Sequence, residues 1–209
     1  MDKRYAIFDM DGTLVDSMVY WKNLASEYLR HKGVTEISAE VLDKIKPMTM
    51  TESAALFIQE FQLEGSPEQI ADEMNALMDQ HYHNDISLKA GVHEYLDQLH
   101  RSGTVMCVAS ATAEPLMEAC LRRLGVADYF QFLLSCETVG AGKSRPDVYF
   151  AAAERLGAGP EEIAVYEDAL YAARTAKEAG FYVVGVYDDS ASGHWDELIE
   201  LADEWIKEW

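Results

Sequence analysis

Two carboxylates one residue apart, Asp9 and Asp11, stand directly after the apolar run Tyr5-Ala6-Ile7-Phe8, and Gly12-Thr13 then turns the chain away. A buried strand that stops on acids delivers them to the carboxyl edge of a sheet, where open α/β folds bind their ligands. The chain repeats this pattern. Ser110 follows the run Thr104-Val105-Met106-Cys107-Val108-Ala109, Glu167-Asp168 follow Ile163-Ala164-Val165-Tyr166, and Lys143 lies in the loop before a helix that Pro146 opens. Parallel strands present their carboxyl ends on one side, so four carboxylates, a hydroxyl and an ammonium converge from distant parts of the sequence. Packed carboxylates repel and take up protons unless a cation sits among them, which calls for a hard, oxygen-binding ion; Mg²⁺ fits best.

Phosphoryl transfer suits such a set, because it demands alignment and positive charge more than covalent chemistry from the protein. Asp9 is the candidate nucleophile, forming an aspartyl-phosphate, and Asp11 the candidate acid that protonates the leaving oxygen and then activates water. Lys143 supplies charge to the phosphoryl oxygens, while Ser110 and the neighbouring main-chain N–H of Ala111 hold another of them. Two competing motifs fail on spacing. A calcium loop opening at Asp9 needs Gly and Glu where Leu14 and Tyr20 stand, and a P-loop ending at Gly142-Lys143-Ser144 needs Gly where Glu137 stands.

The elements that must position these groups can be read around them. Met18, Trp21, Leu24, Ala25, Tyr28 and Leu29 keep a helical period that stops near Gly33, and Thr49-x-x-Glu52 and Ser66-Pro67-Glu68-Gln69 look like capping boxes. Four helices and no strand are expected between residues 17 and 88. From Leu88 strands alternate with helices, the mark of a parallel sheet with crossover helices. The expected organisation is an α/β protein with a Rossmann-like core of residues 1–16 and 88–209, interrupted by an all-helical domain of residues 17–87. Trp205, Ile206 and Trp209 are expected to pack on the sheet as a helix or a short edge strand.

Composition narrows the partners. At 209 residues, with 49% hydrophobic and 11% aromatic side chains, the chain can bury a sizeable core, and no apolar run is long enough to cross a membrane. The run after Met1-Asp2-Lys3-Arg4 is too short for a secretory signal, and the three cysteines, Cys107, Cys120 and Cys136, read as reduced core thiols; a cytoplasmic location is expected. A net charge of −20 repels nucleic acid and anionic membranes alike, so the expected partner is a small phosphorylated metabolite, met by a monomer.

Asp9-Met10-Asp11-Gly12-Thr13 resembles the first motif of the haloacid dehalogenase superfamily, Ser110 its second, Lys143 with Pro146-Asp147 its third, and Glu167-Asp168 its fourth. The resemblance covers nearly the whole chain and points to the β-phosphoglucomutase-like subgroup. It implies a Rossmann-like core with a helical cap inserted after the first motif. It also implies that Asp9, Asp168 and the main-chain carbonyl of Asp11 ligate Mg²⁺, with Glu167 a direct or water-bridged partner. The cap chooses between phosphatase and phosphomutase. In phosphoglucomutases of this subgroup a His in the first cap helix follows the first-motif turn and an Arg in the second helix gathers the remote phosphate; the comparable positions here are Trp21 and Met50, neither of which can hold a second phosphate. Simple hydrolysis is therefore expected, with a phosphomutase as the alternative, and Trp21, Met48 and Met50 are the candidate specificity residues. Dehalogenation has no use for Asp11 as a leaving-group acid. Phosphonate cleavage is disfavoured too, since it would use a cap lysine and the candidates, Lys44 and Lys46, sit in an otherwise ordinary amphipathic helix.

Overall fold

The computed structural model describes residues 3–45, 48 and 50–209. Lys46 and the capping box expected at Thr49 lie outside them.

Strand β1 (Tyr5–Phe8) opens the fold with Ala6, Ile7 and Phe8 fully buried, as a strand covered on both faces must be. Among the described residues four helices follow without an intervening strand: α1 (Met18–His31), α2 (Ala39–Ile45), α3 (Met50–Phe61) and α4 (Pro67–Asn84). The α4 start is built as its sequence suggests. Ser66 Oγ accepts from Gln69 N at 3.2 Å, Gln69 Oε1 accepts from Ser66 N at 2.9 Å, and Pro67 occupies the first turn, where a missing N–H costs nothing. Ile70, Met74, Leu77 and Met78 then form its buried stripe.

The remaining elements alternate: α5 (Val92–Arg101), β2 (Val105–Ser110), α6 (Glu114–Arg123), β3 (Phe130–Ser135), α7 (Cys136–Val139), α8 (Asp147–Leu156), β4 (Ile163–Glu167), α9 (Leu170–Glu178), β5 (Tyr182–Val186), α10 (Trp195–Leu201) and β6 (Glu204–Ile206). All strand pairs are parallel, in the order β3-β2-β1-β4-β5-β6. This is the expected Rossmann-like α/β sheet. The tail supplies both of its expected forms in succession, a helix and then an edge strand, and Trp209 beyond it packs at 6.0 Å from Tyr166 and 4.9 Å from Tyr95. The short helix α7 is an addition to the expected elements; Ser135 caps it by accepting from Glu137 N at 3.1 Å.

Two compact units result, one from residues up to Met18 together with Ile86–Trp209, the other from Val19–Asp85. Within the first unit the two connections to the second run side by side: Val15 bridges antiparallel to Leu88, Asp16 N donates to Ser87 O and Lys89 N to Leu14 O. All three cysteines are buried and unpaired. Among the described residues no helix is long and apolar enough to cross a membrane.

Candidate active site

Strand register places the chemistry. β1 is the central strand, with Phe8 level with Val108 of β2 and Tyr166 of β4, so Asp9, Ala109 and Glu167 come next in line at the carboxyl edge. The chain leaves β1 toward β2 on one side and later returns to β4 on the other. The gap between β1 and β4 is therefore the topological switch point, where a crevice opens outside the strand ends.

Asp9, Glu167 and Asp168 meet there, each offering an oxygen within 4.8 Å of the others and each buried. Lys143 comes from the loop between α7 and α8. Its Nζ donates to Asp9 Oδ1 and, at 2.6 Å, to Glu167 Oε1, with the side chain only 4% exposed. Thr13 Oγ1 donates to Asp168 Oδ1 at 3.2 Å. Gly12 makes this approach possible: its φ is +80°, and a Cβ there would lie 2.5 Å from Asp168 Oδ2.

Asp11 behaves differently from the other three acids. Its carboxylate is held by hydroxyls, accepting from Ser17 Oγ at 2.6 Å, Thr112 Oγ1 at 2.6 Å and Ser110 Oγ at 3.4 Å. Ser110 also accepts from Thr112 N at 3.2 Å, and α6 starts only at Glu114 with Ala113 as its uncharged cap. The Ser110 hydroxyl is thus turned toward Asp11, and Ala111 precedes the helix proper.

The electrostatics are those of an over-negative cluster. Burial raises the Asp9 carboxyl above its usual range, with the Asp11 charge adding to it and Lys143 opposing it. Glu167 is pushed up to about 7, by burial first and by Asp9, again against Lys143. Asp168 is raised well above the usual range by burial and by the charges of Asp9, Glu167 and Asp188. Burial works against the Lys143 charge, yet the charges of Asp9 and Glu167 outweigh that penalty and raise its pKa. One ammonium faces three buried carboxylates. Oxygen donors at this spacing, carrying this surplus of charge, fit a hard divalent cation.

Several contributors were not singled out from the sequence. Tyr149 Oη donates to Glu167 Oε1 at 2.7 Å, and Thr112 reaches Asp11. Asp188, two residues past β5, pairs with Lys89 at 2.8 Å. The strand-end rule that finds Asp9 and Asp168 applies equally to Asp188, whereas Tyr149 sits on a helix face that reads as ordinary core. Trp21, Met48 and Met50 all lie in the helical unit and line one mostly apolar cleft of about 550 Å³ with Leu24, Leu42 and Met74. Met48 is 37% exposed, and Trp21 Nε1 donates to Tyr82 Oη at 3.1 Å.

Comparison with known proteins agrees with this architecture. A fructose-1-phosphate phosphatase of Escherichia coli is 28% identical over 189 residues, covering 89% of this chain and 98% of the relative. A β-phosphoglucomutase of Bacillus subtilis is 26% identical, covering 86% and 81%. Among solved structures, CbbY from Rhodobacter sphaeroides in complex with phosphate superimposes with a TM-score of 0.73 at 22% identity, covering 99% of this chain and 94% of that one; at that identity the likeness shows the fold. The model of the haloacid dehalogenase-like hydrolases matches residues 6–186. With that match over most of its length, and hydrolases and phosphatases among its relatives, the chain belongs to the haloacid dehalogenase-like hydrolase family.

Proposed function

We propose that this enzyme is a Mg²⁺-dependent phosphatase acting on a small phosphorylated metabolite, a sugar phosphate or a similar ester, through an aspartyl-phosphate on Asp9. The observation that carries the reading is the Lys143 ammonium held between Asp9 and Glu167 at the switch point, with Asp168 completing the buried acid group. A lysine in that place opposes the protonation that burial favours at Asp9 and faces any phosphate brought against it. Mg²⁺, held by Asp9, Asp168, Glu167 and the main-chain carbonyl of Asp11, would add positive charge against the phosphoryl oxygens.

The steps belong to the chain's own groups. An Asp9 oxygen attacks phosphorus as the ester P–O bond breaks, and Asp11 gives the leaving alkoxide its proton. A water then attacks the same phosphorus with Asp11 taking its proton, the Asp9–phosphorus bond breaks, and free phosphate leaves. Three hydroxyls hold the Asp11 carboxylate in one orientation, which favours its working twice in one cycle. Ser110 and the Ala111 N–H remain the candidates for a further phosphate oxygen.

Hydrolysis is favoured over mutase chemistry by the helical unit. A mutase must retain a bisphosphate while it turns over, and Trp21 and Met50 offer a remote phosphate no charge; Lys22 is the one cation among the described residues lining their cleft. The helical unit is accordingly read as a cap that sets specificity through Trp21, Met48 and Met50. The test is phosphate release from a panel of sugar, polyol and nucleoside phosphates with Mg²⁺ and with EDTA, beside a bisphosphate-primed isomerisation of β-glucose 1-phosphate. Mg²⁺-dependent release without isomer supports the reading. Isomer formation without net release overturns the choice of hydrolysis, and no release from any ester overturns the phosphatase.

A further inference from the structure

Glu167 is 1% exposed, and one of its oxygens is doubly engaged: Oε1 accepts from Lys143 Nζ at 2.6 Å and from Tyr149 Oη at 2.7 Å. A carboxylate oxygen has two lone pairs in its plane, so two donors saturate it. Among the described residues nothing donates to Oε2. Tyr149 lies on α8, is fully buried and packs its ring 6.0 Å from that of Phe181. Its hydroxyl makes one hydrogen bond among the described residues, the one to Glu167. A buried phenol needs a partner, and phenylalanine would fill the same space without that need, so the hydroxyl is where a role beyond packing resides.

We propose that Tyr149 is a positioning residue: its hydroxyl fixes the rotation of the Glu167 carboxylate, so that Oε1 holds Lys143 against Asp9 while Oε2 is kept for the cation. The proposal deepens the phosphatase reading of this site and rests on it. Lys143 has three protons to give. Asp9 and Glu167 take two, and the third is aimed by those contacts toward an incoming phosphate. Without the phenol, Glu167 can turn so that Lys143 meets either oxygen, and the ammonium, Asp9 and the cation-facing oxygen lose their fixed relation. Loosening of that kind costs rate far more than it costs substrate binding.

The experiment is a double-mutant cycle of wild type, Tyr149→Phe, Glu167→Gln and the double variant, read with para-nitrophenyl phosphate and by melting of the metal-free proteins. Tyr149→Phe is expected to lower kcat about 10- to 100-fold and raise the Mg²⁺ half-saturation about tenfold, with KM for the ester within about threefold. In the Glu167→Gln background the same change is expected to alter kcat by less than about threefold, and the melting shifts to be non-additive. Unchanged kcat in Tyr149→Phe overturns the proposal. So does an equal loss with and without Glu167, since Tyr149 would then act by packing alone. If wild type hydrolyses no ester in any assay, it is the phosphatase reading that falls, and the melting cycle still decides whether Tyr149 acts through Glu167.

Discussion

The two units treat polar groups in opposite ways. The first, carrying the sheet, buries Asp9, Lys143, Glu167, Asp168 and Asp188, whereas the buried polar side chains described in the helical unit are Ser26 and Ser53. The helical unit keeps its lysine pairs at the surface, Lys32 with Glu73 at 2.6 Å and Lys44 with Glu40 at 3.0 Å, where such pairs contribute little to stability. Its interior is an apolar stripe from each helix, with Leu29, Phe57, Ile70 and Met78 enclosed. Buried charge is costly, and a cluster with more carboxylates than ammoniums is costlier still. The sheet unit carries that cost at the proposed site, and the helical unit, without that cost, is free in the proposed reading to be shaped for selection.

The contrast breaks most sharply if one buried charge can be removed without harm to the fold and with total loss of chemistry. Asp9→Asn keeps the shape of the side chain and one acceptor oxygen while removing the nucleophile and its charge. Turnover is expected to fall by at least about 10⁴-fold, as it does when a covalent nucleophile is lost, measured by phosphate release. The metal-free variant is expected to melt no lower than wild type, because one of several repelling charges is gone. Turnover within tenfold of wild type rules out the covalent step.

A second effect, in stability, sharpens the same comparison. The raised Asp9, Glu167 and Asp168 carboxyls hold protons in the folded state at pH values where the unfolded chain has released them. The native state therefore binds more protons than the unfolded one between the ordinary carboxyl range and about 7, the value reached by Glu167, and stability falls as pH rises through that window. Lys143, raised as well, stays charged throughout it and adds no slope there. Protein treated with EDTA is expected to melt lower at pH 8 than at pH 5.5. Added Mg²⁺ should raise the melting temperature by more at pH 8, where fewer protons have to be displaced from the ligands. Scanning calorimetry checks this, and a Mg²⁺ shift equal at both pH values would show that the buried acids are not where the ion binds.

How much of this was legible in the sequence follows the same division. In the sheet unit Asp9, Ser110 and Glu167 are each marked by a break in pattern: an apolar run that ends on an acid or a hydroxyl is out of keeping with burial unless that group has work to do. Those breaks, with Gly12 and Pro146 marking the turns, convey the strand order's consequence before the order itself is known. Tyr149 was hidden because a tyrosine at a helical core spacing breaks no pattern, and its hydroxyl acquires meaning only when β4 brings Glu167 against it. The turning of Ser110 and Thr112 toward Asp11 was hidden because side-chain rotamers are set by three-dimensional neighbours. In the helical unit the boundaries were legible from period and caps, as at Ser66, yet Trp21, Met48 and Met50 could be singled out only through the family resemblance. Nothing in an apolar stripe says which of its members line a cleft.

Trp21 gives the smallest expected effect and the finest test of the division. It lines the apolar cleft, and its indole N–H is tied to Tyr82 on α4, so it has both a packing role and a surface to offer a ligand. Trp21→Phe keeps an aromatic ring while withdrawing the bond to Tyr82 and part of the ring area. If the helical unit selects substrate, kcat/KM for a preferred sugar phosphate relative to para-nitrophenyl phosphate should change by up to about tenfold, the scale set by modest changes of apolar contact. The rate on para-nitrophenyl phosphate itself should stay within about threefold, since no buried charge of the sheet unit has been touched. A ratio that does not move while the melting temperature drops would make Trp21 a packing residue only, and selection would then have to be sought at Met48 and Met50.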